Sequence, residues 1–174
     1  PPPPPPPPPP PRLLRRQRQM CIRDRFTAED RVAAVTGFLR EAGNRIHPLG
    51  CAISADVFGI VLSSPTDEGI GQRPVEVSYV VDYISPMLYP SHYSEGTLGY
   101  QDPNSAPGPI ISWALDSGLP RLEGGAIMRP WLQAFYYNGS QIGAEIAESE
   151  ERGVGWMLWN AGGEYPRSWL PDPE

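Results

Sequence analysis

Three apolar runs of strand length constrain this chain more than any other feature: Val81-Asp-Tyr-Ile-Ser-Pro-Met-Leu-Tyr-Pro-Ser-His-Tyr93, Arg129-Pro-Trp-Leu-Gln-Ala-Phe135 and Gly155-Trp-Met-Leu-Trp-Asn-Ala161. Each ends in aromatic, amide or imidazole groups. Apolar runs of this length suit buried parallel strands. Polar side chains at their ends suit the rim of a barrel of alternating strands and helices, where active sites are built.

The intervening segments read as helices and loops. Thr27-Ala-Glu-Asp30 has the form of a helix start, with Val32, Val35, Phe38 and Leu39 at helical spacing and Gly43 as its stop. Leu49 to Val57 reads as a buried strand closed by Phe58-Gly59. A polar loop follows over 63–74, then a short helical turn over 75–80 and a strand over 82–88. The proline-bearing loop Tyr89 to Pro109 is long enough to suggest function. Helices are expected over 110–117 and 140–152, the latter with Ile142 and Ile146 inward, Glu145, Glu148, Glu150 and Glu151 mostly outward, and Gly153 as its stop. Strands are expected over 126–134 and 154–159. This alternation predicts parallel β/α architecture.

Composition narrows the partners. Six of the 14 basic residues lie in the first 25, beside the single acid Asp24, which leaves 8 basic and 19 acidic residues from Phe26 on. Such a surface repels nucleic acid and anionic membranes. No apolar run approaches the roughly 18 residues of a membrane span. Cys21 and Cys51 are too far apart in sequence to suggest a zinc site or a disulfide framework. No P-loop, dinucleotide fingerprint or hydrolase elbow is present, so no cofactor or metal is expected.

Pro1 to Pro11 are an unbroken proline run, followed by a basic stretch ending in Arg18-Gln-Met-Cys-Ile-Arg-Asp-Arg25. One reading is a polyproline II ligand for a proline-binding domain. The favoured one is a non-native segment, because those eight residues resemble a translated sequencing adapter and a run of C translates as polyproline. Residues 1–25 are accordingly set aside from fold reasoning, leaving 26–174 as the domain.

Ser54-Ala-Asp-Val-Phe-Gly59, Asp82-Tyr-Ile-Ser-Pro-Met-Leu-Tyr-Pro-Ser-His-Tyr93, Arg129-Pro-Trp-Leu-Gln133 and Trp156-Met-Leu-Trp-Asn160 together resemble a bacterial family of glycoside-hydrolase-like domains, itself distantly similar to the α-amylase-type barrel. The resemblance implies that the chain is the C-terminal half, about four β/α units, of a TIM-type (β/α)8 barrel. At 174 residues it is short for the ~250 of a complete one. The family's upstream half, whose last strand carries an aspartate in an aromatic context, has no counterpart here. The chain thus reads as a metagenomic gene fragment.

Glycoside hydrolysis normally uses two carboxyl groups. Asp56, at the end of an apolar run and in the family motif, is the expected catalytic carboxylate; the plain alternative is a loop cap. Asp82 opens its strand and is expected to be structural, as is His47. Tyr89 and His92 are expected to touch substrate, against the plainer reading of a packed, hydrogen-bonded imidazole; Tyr93 belongs to the same group. Trp131, Gln133 and Phe135 alternate along one strand and share a face. Trp131, Gln133, Trp159 and Asn160 combine rings with amides, which suits the C–H faces and hydroxyls of a sugar; large aromatics also fill barrel cores. Arg129 suits an ion pair, or less readily a substrate contact.

The expectation is therefore part of an exported bacterial glycoside hydrolase acting on a polysaccharide, inactive as this chain alone. The rival is a non-catalytic carbohydrate-binding barrel, which would keep Trp131, Gln133, Trp159 and Asn160 but lack a carboxyl pair.

Overall fold

Thr27 begins the first helix as its sequence implies. Its hydroxyl accepts from the Asp30 N–H at 3.1 Å, and the Asp30 carboxylate accepts from the Thr27 N–H at 2.9 Å. That reciprocal pair satisfies amides which a helix start otherwise leaves open. The computed structural model describes residues 26–170, so the proline-rich segment and Cys21 lie outside the described residues. Helix α1 spans Ala28–Ile46 and runs through Gly43 instead of stopping there. Gly43 is buried, and a Cβ on it would touch the His47 ring. That contact would be an ordinary one, so Gly43 neither reverses the chain nor is required by close packing. Phe38, expected on the helix's apolar stripe, is 73% exposed.

The remaining elements are β1 (Ser54–Phe58), α2 (Pro74–Ser78), β2 (Tyr83–Leu88), α3 (Pro107–Gly118), β3 (Ile127–Met128), β4 (Trp131–Gln133), α4 (Gly139–Glu151) and β5 (Met157–Trp159). Every pairing is parallel, in the order β1-β2-β4-β5, with β3 beside the start of β2. The architecture is α/β with strands and helices in alternation.

Three expected strands are shorter. The one expected over 154–159 is only Met157–Trp159, because Gly153 turns the chain at φ 65 and 154–156 are its exit. The one expected from Leu49 begins at Ser54, because His47–Leu49 forms a 3-10 turn closed by Gly50 at φ 73. The one expected over 126–134 is split at Arg129–Pro130. The break has a local cause. β2 pairs with β3 through Ile84 and resumes with β4 at Met87, so Pro86 and Pro130 both fall in the gap. Neither has an N–H for the ladder.

Strand residues alternate between two faces. Ala55, Val57, Ile84, Leu88 and Leu132 join Val77 of α2, Ile111 and Leu115 of α3, and Ile142 and Ile146 of α4 in one buried cluster. Val35, Leu39, Ala42 and Ile46 of α1 pack against it. Each fully buried Leu or Ile contributes about 1.5–3 kcal/mol, so this face carries most of the folding energy. The opposite face carries Ser54, Asp56, Phe58, Tyr83, Met87, Ile127, Trp131, Met157 and Trp159, among which Phe58, Ile127 and Trp159 are exposed. Parallel sheets are ordinarily covered on both faces; among the described residues, helices cover one side of this one.

Asp82 stands at the N-terminal end of β2. Its carboxylate accepts from the Ile53 N–H at 2.7 Å and meets His47 Nε2 at 2.9 Å. Those two contacts, the backbone one foremost, hold its pKa below the ordinary carboxylate value. Asp82 and His47 thus fasten the entry to the sheet, at the end remote from the strands' C-terminal rim.

Candidate functional site

The open face has one acid among the described residues, Asp56. It lies in mid-strand, in register with Ser85, and not at the strand's C-terminal end as the sequence suggested. Its side chain is exposed on the open face, and Trp131 Nε1 donates to its Oδ1 at 3.0 Å. Trp131 in turn meets Trp159 edge to face, with ring centroids 6.1 Å apart. Asp56, Trp131 and Trp159 therefore form a continuous line across β1, β4 and β5. Because one indole N–H is its side-chain partner, the Asp56 carboxylate keeps lone pairs free for a ligand. Arg129, expected in an ion pair, has none within the described residues; its guanidinium lies 5.1 Å from the centre of the Tyr83 ring instead.

At the rim, Tyr89, His92, Phe135, Tyr136, Trp159, Asn160, Ala161 and Gly162 line an open cavity of about 420 Å³. Four residues singled out in the sequence (Tyr89, His92, Trp159 and Asn160) thus come together from the ends of β2 and β5. Tyr89 packs edge-on against His92 at 5.2 Å and against Phe135 at 5.4 Å. Burial, and secondarily the nearby Asp56 charge, push the Tyr89 phenol up to about 12. Tyr89 therefore remains a protonated donor at neutral pH. The same Asp56 charge ties the rim cavity electrostatically to the open face. The Asn160 side chain donates to the Glu164 carbonyl at 3.0 Å and accepts from the Gly162 N–H at 2.9 Å, which shapes one wall of the cavity.

Gln133 differs from its expected role. It is 0% exposed. Its Oε1 accepts from Ser91 N at 3.1 Å and Ser91 Oγ at 2.8 Å; its Nε2 donates to Asn104 Oδ1 at 3.0 Å and the Phe135 carbonyl at 3.2 Å. Four bonds fill an amide's usual capacity. Gln133 is a strut that pins the loop after β2 and the 3-10 turn Pro103–Ser105 to the end of β4. Tyr93 likewise turns inward: a Cβ on Gly59 would come within 2.9 Å of its hydroxyl and would also overlap the Met87 carbonyl oxygen. The glycine that closes β1 is therefore set by close approach.

Two residues escaped the sequence reading. Tyr136 lies on the cavity wall with φ 64 and is 89% exposed. A left-handed conformation costs a non-glycine residue about 1–2 kcal/mol, and nothing in Phe-Tyr-Tyr announces it. Glu145, expected to face solvent, is 0% exposed, and neither carboxyl oxygen has a hydrogen-bond partner. Burial pushes its pKa up to about 9; the main-chain dipole of Gln133 pulls the other way more weakly. Glu145 is thus an uncharged acid behind β4, away from the open face.

The described residues hold no cluster of three or more His, Cys, Asp or Glu placed to bind a metal. None of their helices is long and apolar enough to cross a membrane. The arrangement offers a carboxylate with free lone pairs, flanking indoles and an aromatic cavity with hydrogen-bonding groups. These are means of holding a sugar and of moving one proton.

Residues 11–165 match the family described as "Putative glycosyl hydrolase domain", and the chain belongs to that family. The match begins inside the segment set aside above. No curated protein and no solved structure matches the chain.

Proposed function

We propose that the open sheet face and its rim cavity are one side of the glycan cleft of a glycoside hydrolase, with Asp56 as one of its two carboxyl groups. The observation that carries this is the exposed Asp56 carboxylate, anchored by Trp131 and continued by Trp159 towards the rim. Membership of a glycosyl hydrolase-like family supports it. In this reading the chain supplies four β/α units of a TIM-type barrel, and the uncovered face is the barrel lumen. The all-parallel ladder and the helices on one face are what a half-barrel requires. The second carboxyl would come from strands facing β1 and β5. The substrate is a polysaccharide met outside the bacterial cell, and Asp56 acts with that missing partner as acid or as nucleophile.

By itself the chain would bind glycan and not cleave it, since among the described residues β1 and β5 have no outer partner strand and Asp56 is the one acid on the face. Two measurements on the 174-residue chain test this: retention on a panel of immobilised polysaccharides, and release of reducing ends from the same glycans. Retention without release is the expected pair. No retention on any glycan would overturn the sugar reading, and release unchanged by Asp56→Asn would overturn the role of Asp56. A solely carbohydrate-binding barrel is the second reading, favoured by the single carboxylate. It would stand if a complete homologous barrel carrying both faces also bound without cleaving.

A further inference from the structure

We infer that Tyr136 and Trp159 are two walls of a subsite for an uncharged sugar ring, with Tyr136 setting affinity; this rests on the sugar-binding reading above. Tyr136 is held in place by its neighbours. Upstream, the Ala134 N–H donates to the Trp159 carbonyl at 2.9 Å and Gln133 is locked by four hydrogen bonds. Downstream, the buried Tyr137 donates its hydroxyl to the Asn104 carbonyl at 2.9 Å, and Asn138 caps α4 by accepting from the Gln141 N–H at 3.1 Å. Between these anchors the chain passes through the left-handed region at residue 136.

Glycine makes that passage without a Cβ penalty. Tyrosine adds strain there and returns little to the fold, because the residue is 89% exposed and its ring meets Phe135 edge-on at 5.3 Å. Strained backbone and exposed aromatic surface coincide on the wall of one cavity, which Trp159, itself 45% exposed, also lines. That coincidence points to a ligand. Two partly free rings suit the C–H faces of a pyranose, and Asn160 and His92 beside them suit its hydroxyls.

The charge pattern selects among sugars. Among the described residues, no carboxylate and no guanidinium lines the cavity. Asp56 acts on Tyr89 from the adjoining face, and the whole chain carries a formal charge of -6. A carboxylated sugar would find no guanidinium there and a repulsive field.

The test uses the full chain and three tetrasaccharides: cellotetraose and maltotetraose as neutral probes and tetragalacturonate as the anionic one. Calorimetric titration is run on the parent, Tyr136→Gly and Tyr136→Phe, with a thermal melt of each. Tyr136→Gly should melt at or slightly above the parent temperature and bind the preferred neutral probe about tenfold more weakly, a difference of about 1.4 kcal/mol. Tyr136→Phe should bind as the parent does. If Tyr136→Gly binds like a parent that does bind, this inference fails and the sugar reading survives. A large fall in the melting temperature of Tyr136→Gly would assign the tyrosine to the fold and overturn the inference. Equal or tighter binding of tetragalacturonate overturns the uncharged-ring assignment. A parent that binds none of the three overturns this inference and the function beneath it together.

Discussion

Glu145→Gln should gain stability relative to the parent as pH rises. In the fold, burial raises the Glu145 pKa from 4.5 to about 9. A raised folded-state value means that the native chain holds the proton more tightly than the unfolded one. The contribution is fully present below about 4.5, where both states are protonated, and is lost as pH climbs towards 9, where only the unfolded state has been free to ionise. Between those limits each pH unit removes about 1.4 kcal/mol. From about pH 5 to about pH 8 the loss is about 4 kcal/mol, a large share of the ~5–15 kcal/mol that a domain has. Glutamine keeps the shape and cannot ionise. Urea unfolding of both proteins across that range, with the difference plotted against pH, isolates this one group because every other titration is common to both. The difference should change by about 1.4 kcal/mol per unit in favour of the variant. A flat difference would show that Glu145 is charged or hydrated in the native state, and would refute its placement behind β4.

Gln133→Leu removes four hydrogen bonds and strands the Ser91 and Asn104 groups; it should cost about 2–4 kcal/mol in a denaturant melt and speed amide exchange in the two loops it pins. Gly59→Ala should destabilise by about 1–3 kcal/mol, because the added methyl meets the Met87 carbonyl and the Tyr93 hydroxyl; a neutral result would show that β1 and β2 can part at that point. Trp159→Ala should lower glycan affinity by about 1–3 kcal/mol and cost the fold less than the ~3–5 kcal/mol of a buried tryptophan, as calorimetric titration and thermal melts would show. In a complete barrel carrying this half, Asp56→Asn should cut turnover at least ~100-fold with binding retained, and near-normal turnover would remove it from the mechanism.

How much of this could be read in the sequence depended on whether the cause was local. The Thr27 capping box and the parallel alternation follow from short-range pattern, as does the placing of Tyr89, His92, Trp159 and Asn160 at the ends of apolar runs. What the pattern missed was set by tertiary context. Glu145 sits among Glu148, Glu150 and Glu151 and reads as one more solvated acid, yet the face it occupies is fixed by where α4 meets β4. Gln133 reads in sequence as a sugar-binding amide, but only the fold shows that Ser91, Asn104 and the Phe135 carbonyl take up its bonds. Pro86 and Pro130 are each visible; their position in one ladder gap requires the register. Tyr136 gives no warning of its φ, because the strain is imposed by anchors on both sides. Asp56 seemed to stand at a strand end, since the apolar residues from Leu49 to Ile53 looked like strand and are largely a turn and its exit.

The most direct test of the central claim follows the tryptophan indole N–H signals by NMR while a neutral tetrasaccharide is added to the chain. The five tryptophans report on separate places: Trp131 is bonded to Asp56 and Trp159 lines the rim cavity. Trp113 and Trp169 pack against the core, and Trp156 donates to Glu150. With the open face as the glycan site, the Trp131 and Trp159 signals move together with one dissociation constant while the other three stay in place. Movement confined to Trp113, Trp156 or Trp169, or no movement at saturating sugar, would contradict the assignment of the open face as a glycan site.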